Sequence, residues 1–113
     1  METALLRVVA ITHQRVTLDT VGRFHSDPAS MRAAGLRLLD NGLASECFFI
    51  TTCNRAELVF VAVDERPSII RDVLCAWKPD LGKEQLESAA RAAVVYEGDE
   101  AVRHLMSVAS SLE

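Results

Sequence analysis

The sequence predicts an α+β fold, a ferredoxin-like antiparallel sheet with helices on one face and an extra C-terminal helix. Three observations predict it. Four short apolar runs of strand character alternate with segments of helical period in the order βα-ββ-α(α)-β-α. The middle two runs are separated only by a polar break, as in a hairpin, while the outer two are set apart by helices, which is the plan of a split βαβ sandwich. Finally, 113 residues, 50% apolar and 25% charged, suffice for one soluble domain around one core.

Taken in order, Leu5 to Thr12 is apolar and β-branched with only Arg7 interrupting, and reads as a buried strand. No element is assigned between it and Ser26. Ser26-Asp27-Pro28 reads as a helix start, with Ser or Asp capping and Pro in the first turn, leading into Met31 to Asp40. Leu36 and Leu39 are taken as its apolar stripe, and Asn41-Gly42 as its end, since both residues tolerate the left-handed conformation.

Cys47 to Thr52 is the second strand and Leu58 to Val63 the third, with the polar Thr51 to Arg55 between them. Pro67 opens a helix whose stripe is Ile69, Ile70, Val73, Leu74 and Trp77, and Lys78-Pro79-Asp80-Leu81-Gly82 breaks it. A short helix over Glu84 to Ala90 precedes a strand at Ala92 to Tyr96. The last helix starts at Asp99 and carries Ala101, Leu105, Val108 and Leu112 on one face. Its pattern runs to the end at Glu113 with no Gly or Pro stop, so the chain is expected to be cut from a longer protein.

Composition narrows function. The net charge of -4 argues against a DNA-binding role and against this segment being the main surface for RNA, since phosphate contacts need clustered Lys and Arg. No apolar run approaches the ~20 residues a bilayer needs, and Met1-Glu2-Thr3 starts no signal peptide, so a cytoplasmic protein is expected. Cys47, Cys53 and Cys75 form an odd set without a CxxC pair, which suits reduced thiols and spells out no zinc site.

One of those cysteines stands out. In Phe48-Phe49-Ile50-Thr51-Thr52-Cys53-Asn54-Arg55-Ala56-Glu57-Leu58-Val59, Cys53 lies among Thr, Asn, Arg and Glu where an apolar strand turns polar. A thiol attacks as thiolate, and with an ordinary pKa of about 8.5 only a small fraction is ionised at neutral pH, so a nearby cation such as Arg55 raises the reactive fraction. Alone, such a cysteine reads as a small buried residue at a strand end, and Arg55 with Glu57 as a surface ion pair. Cys47 and Cys75 keep a structural reading.

Thr51-Thr52-Cys53-Asn54-Arg55-Ala56-Glu57 resembles the Ser/Thr-Thr-Cys-Asn-Arg-x-Glu signature of glutamyl-tRNA reductase. Val8-Val9-Ala10-Ile11-Thr12-His13 is similar to that family's opening strand and histidine, and Tyr96-Glu97-Gly98-Asp99-Glu100-Ala101-Val102-Arg103-His104-Leu105 to the start of a later helix. Order and spacing agree over nearly the whole chain. The resemblance implies the same fold and an N-terminal catalytic, glutamate-recognising domain over residues 1–113, with the NADPH-binding and dimerisation domains lying outside them. No Gly-x-Gly-x-x-Gly is present for a nicotinamide cofactor.

The implied activity is an aldehyde-forming oxidoreductase of tetrapyrrole (porphyrin) biosynthesis. Cys53 attacks the ester linking glutamate to tRNA, tRNA leaves from a thioester, and hydride from NADPH gives glutamate-1-semialdehyde. Glutamyl-tRNA is then the substrate, and the full-length enzyme a homodimer through its C-terminal region. Arg55 is the candidate partner for the substrate's side-chain carboxylate, because its planar fork can donate two parallel hydrogen bonds. Thr52, then Asn54 and Glu57, are candidates for the α-amino group, each offering an oxygen acceptor.

His104 matches a histidine that lines the family's active site, and can orient the carbonyl or move a proton. His13 is given a supporting, pocket-lining role, and His25 is read as solvated. Two readings from other classes compete: a non-enzymatic ferredoxin-like binding module with a structural cysteine, and a thiol redox sensor.

Overall fold

Strand β1 (Leu6–Thr12) is an inner strand of a four-stranded antiparallel sheet of order β2-β3-β1-β4, in a computed structural model that describes residues 4–111. The remaining elements are α1 (Leu18–Phe24), α2 (Pro28–Asp40), β2 (Ala44–Thr52), β3 (Arg55–Ala62), α3 (Ile69–Trp77), α4 (Lys83–Ala92), β4 (Val94–Glu97) and α5 (Asp99–Ser111). Read from its far edge the sheet runs 4-1-3-2, the split βαβ arrangement expected from the sequence.

The two faces of the sheet are covered differently. On one face Val9, Ile11, Leu58 and Phe60 meet Val21 and Phe24 of α1, Ala34 and Leu38 of α2, Val73, Leu74 and Trp77 of α3, and Ala89 of α4. Trp77 centres this core, edge-on to Phe24 at 4.9 Å and tilted against Phe49 at 5.3 Å between ring centroids. On the other face Val8 and Val59 meet Ala101 and Leu105 of α5, with Tyr96 and Ile50 beside them. The period of two along β1 and β3 sends alternate side chains to these two cores. Arg7 interrupts β1 without being exposed, because its guanidinium donates to the carbonyls of Ala4 at 2.7 Å and Leu6 at 3.0 Å and meets Glu65 and Glu97 at 3.5 Å.

Several expectations are corrected. Helix α1 arises where none was assigned: Thr17 Oγ1 accepts the Thr20 N–H at 3.2 Å as its cap, and Val21 and Phe24, one turn apart, are its only buried residues. Seven residues with two anchors leave little period to read. In α2 the buried positions are Ala34 and Leu38, while Leu36 is 48% and Leu39 41% exposed. The helix is set by its N-terminus, where Asp27 accepts the Ser30 N–H at 2.7 Å and Pro28 occupies the first turn. Gly42, at φ +69°, ends the segment in the left-handed region.

The break between β2 and β3 is also shorter than expected. Thr52 pairs with Arg55 in register, so only Cys53 and Asn54 leave the ladder. Thr and Arg are compatible with a strand when one face is open, and here the ladder carries them to the turn. Among the described residues no residue other than glycine has a positive φ, so this two-residue turn is built from ordinary right-handed and extended backbone. Of the α5 stripe, Ala101 and Val108 are buried and Leu105 packs on the second core, while Leu112 lies outside the described residues, as does Met1-Glu2-Thr3.

Candidate functional site

The site lies on the α5 face, at the end of the sheet where β2 turns into β3. Arg55, Glu57 and Val59 alternate along β3 onto that face. Ala101 packs on Val8 and Val59, and the α-helical rise then brings His104, one turn further on, over Glu57. His104 Nε2 meets Glu57 Oε1 at 2.5 Å, and Arg55 Nη1 donates to Glu57 Oε2 at 2.9 Å. Tyr96 of β4 stacks on the imidazole with centroids 3.9 Å apart and planes 10° from parallel.

Above this cluster is an open cleft of about 470 Å³ lined by Thr52, Asn54, Arg55, Tyr96, His104, Ser107 and Val108. It is predominantly polar, and one wall is the hairpin tip. Cys53 is exposed at that tip, between the lining residues Thr52 and Asn54. The turn is tied in two directions: Asn54 N–H reaches Thr52 Oγ1 at 3.4 Å, and the His13 N–H donates to the Asn54 carbonyl at 2.8 Å.

The sequence-derived candidates fall into three positions. Thr52, Asn54, Arg55 and His104 share the cleft wall. Cys53 and His13 sit at the adjoining tip, both exposed and outside the lining, with His13 joined to it through its backbone. Glu57 lies beneath the cleft with no exposed surface, so the pair it forms with Arg55 is not the surface pair that composition alone suggests. Arg55 keeps 34% of its side chain exposed and lines the cleft. His104, 12% exposed, is not the surface residue an isolated helical histidine would be.

Other residues enter only with the structure. Tyr96, Ser107 and Val108 line the cleft, and Ser107 is one helical turn from His104, a spacing the sequence does contain. His25, read as solvated, is half-buried and its Nε2 lies 3.3 Å from the Arg55 carbonyl. That contact depends on α1, which carries too little period to be read from sequence. The remaining cysteines stand apart. Cys47 is half-buried with its Sγ 3.8 Å from the Gly35 carbonyl, and burial pushes its thiol up, whereas Cys75 is exposed on α3. Among the described residues no group of three or more His, Cys, Asp or Glu could hold a metal ion, and no helix is long and apolar enough to cross a membrane.

Fold and site together define a ferredoxin-like α+β domain that presents a thiol at a hairpin tip beside a polar cleft containing an arginine and a carboxylate-bound histidine. Residues 9–113 match the family model described as "Glutamyl-tRNAGlu reductase, N-terminal domain". The chain belongs to that family. It is 30% identical over 108 residues to a glutamyl-tRNA reductase of Teredinibacter turnerae, covering 96% of this chain and 25% of the relative. A glutamyl-tRNA reductase of Pseudomonas fluorescens strain SBW25 is 31% identical over 105 residues, covering 93% and 24% respectively.

The chain therefore spans about a quarter of the length of these relatives. The structure of glutamyl-tRNA reductase from Methanopyrus kandleri superposes with a TM-score of 0.62 at 23% identity, covering 95% of this chain and 22% of that one, and supports the fold.

Proposed function

We propose that this chain is the glutamate-recognising, thioester-forming domain of an NADPH-dependent glutamyl-tRNA reductase that makes glutamate-1-semialdehyde for tetrapyrrole synthesis. The observation that carries the reading is the exposed Cys53 at the lip of a cleft that also holds Arg55 and His104. In this reading Arg55 binds the side-chain carboxylate of the glutamyl group through the part of its fork that faces the cleft. Thr52 and Asn54 accept hydrogen bonds from the α-ammonium.

Held this way, the ester carbonyl lies over the hairpin tip. The Cys53 thiol gives its proton to His104 and adds as the thiolate, the carbon–sulfur bond forms, the carbon–oxygen bond to the terminal ribose breaks, and His104 passes that proton to the departing oxygen. The resulting thioester carbonyl is less resonance-stabilised than the ester it replaces. NADPH, carried outside these residues, supplies the hydride that turns the thioester into the aldehyde and frees the thiolate. In this reading the part played by residues 1–113 is formation of the thioester.

The test is intact mass spectrometry of the chain after incubation with glutamyl-tRNA. A glutamyl adduct on Cys53, removed by hydroxylamine and missing in Cys53→Ser, is expected. An adduct that persists in Cys53→Ser would overturn the assignment. Alkylation distinguishes the other classes: a redox-sensing thiol labels without protection by a glutamate analogue, and a structural one labels slowly. The exposure of Cys53 counts against the structural case.

A further inference from the structure

We propose that Glu57 is a positioning residue whose single buried carboxylate fixes Arg55 and His104 relative to each other and holds the His104 ring with its hydrogen on Nε2. The inference rests on the functional reading above and assigns to Glu57 a task other than contact with substrate. Its side chain has no exposed surface, so it offers a ligand in the cleft nothing directly. Both of its oxygens are instead engaged, Oε2 by Arg55 Nη1 at 2.9 Å and Oε1 by His104 Nε2 at 2.5 Å.

The hydrogen-bond inventory decides the tautomer. With Oε2 already accepting from a guanidinium, the carboxylate meets its second partner as an acceptor, so the His104 nitrogen facing Oε1 carries the hydrogen. Nδ1 of the neutral ring then holds the lone pair, which is the atom able to take a proton. Tyr96, stacked at 3.9 Å and nearly parallel, fixes the ring plane while Glu57 fixes its rotation within that plane. Two cleft residues with separate tasks, anion binding by Arg55 and proton movement by His104, thus share one support in β3.

This arrangement explains a feature that fold stability does not require. Replacing a buried carboxylate and its partners by apolar residues of similar volume is often neutral or stabilising, so a wholly buried Glu in the middle of a strand is not needed for the sheet. It is needed if the histidine and arginine beside it must be oriented.

The experiment uses Glu57→Gln, which keeps the volume, in the same 113-residue chain, with two readouts. Ring nitrogen shifts of His104 by NMR are expected to report hydrogen on Nε2 in the unmodified chain, and a changed tautomer ratio in the variant. Formation of the Cys53 thioester is expected to fall by about 100-fold or more, the scale of losing one general acid–base group. Adding Glu57→Gln to His104→Asn should cost less than Glu57→Gln costs in the unmodified chain, because only the support of Arg55 is then left to lose.

Hydrogen on Nδ1 in the unmodified chain, an unchanged tautomer ratio in Glu57→Gln, or additive losses in the double variant would overturn the proposal. Failure of the unmodified chain to form any thioester would instead remove the functional reading, and the NMR result would still decide the role of Glu57 on its own.

Discussion

Leu38 and Leu39 are neighbours in sequence and differ by a large factor in what they contribute to stability. Leu38 is completely buried against the α2 face of the sheet, whereas Leu39 is 41% exposed. Truncating Leu38 to alanine removes about three methylene equivalents, at about 0.8 kcal/mol each, or roughly 2.4 kcal/mol of transfer free energy. A partly relaxed cavity of some tens of Å³ adds about 1 kcal/mol at ~24 cal/mol per Å³, bringing the loss to about 3 kcal/mol. For Leu39 roughly half of the transfer loss applies and no closed cavity forms, so about 1 kcal/mol is expected.

At about 4 °C per kcal/mol for a domain of this size, Leu38→Ala should lower the melting temperature by about 12 °C and Leu39→Ala by about 4 °C. Circular dichroism melts of the two variants, with Leu36→Ala as a third, test this directly. If Leu39→Ala or Leu36→Ala costs as much as Leu38→Ala, the buried face of α2 has been placed wrongly and the original stripe reading is right.

Further outcomes follow from other contacts. Asp27→Ala should destabilise α2, and because the Ser30 N–H holds the Asp27 carboxyl below its usual range, that contribution is present above the unfolded carboxylate pKa and lost as pH falls through the folded one. Acid melts should therefore show the wild type and variant converging. Burial pushes the Cys47 thiol up, so its contribution is present below the unfolded thiol pKa and is lost as pH rises through the folded value. A Cys47→Ala variant should accordingly show a flatter stability profile in that alkaline window, measured by urea midpoints.

Timed alkylation at neutral pH should modify the exposed Cys53 and Cys75 well before Cys47, read by peptide mass spectrometry. Tyr96→Phe, which keeps the ring stacked on His104, should retain most thioester formation, while Tyr96→Ala should lose about 10-fold, on the order of one aromatic contact.

Most of the sheet is legible from local chemistry, because β1 and β3 are short, β-branched apolar runs and the helix from Ile69 to Trp77 carries a 3.6-residue apolar stripe. What escapes is what tertiary packing decides. Leu36 and Leu39 look as good as Leu38 in sequence, and only the placement of α2 on β2 and α3 chooses among them. Helix α1 has two anchoring residues and a Thr cap, too little period to announce itself.

The site follows the same division. Thr52, Asn54 and Arg55 come together because they are adjacent in the chain, and His104 through the family resemblance. Tyr96 above His104 and His25 on the Arg55 carbonyl depend on contacts between elements distant in sequence. The burial of Glu57 could not be read from a charged residue flanked by Ala and Leu.

The hairpin turn at Cys53 and Asn54 has a practical consequence for anyone probing this chain. With both residues at negative φ, an exchange of the side chain at Cys53 asks for no left-handed backbone. Thiol, hydroxyl, selenol or a plain methyl can thus be presented at the same point in space. Differences among such variants therefore report chiefly the reactivity of the atom at the tip.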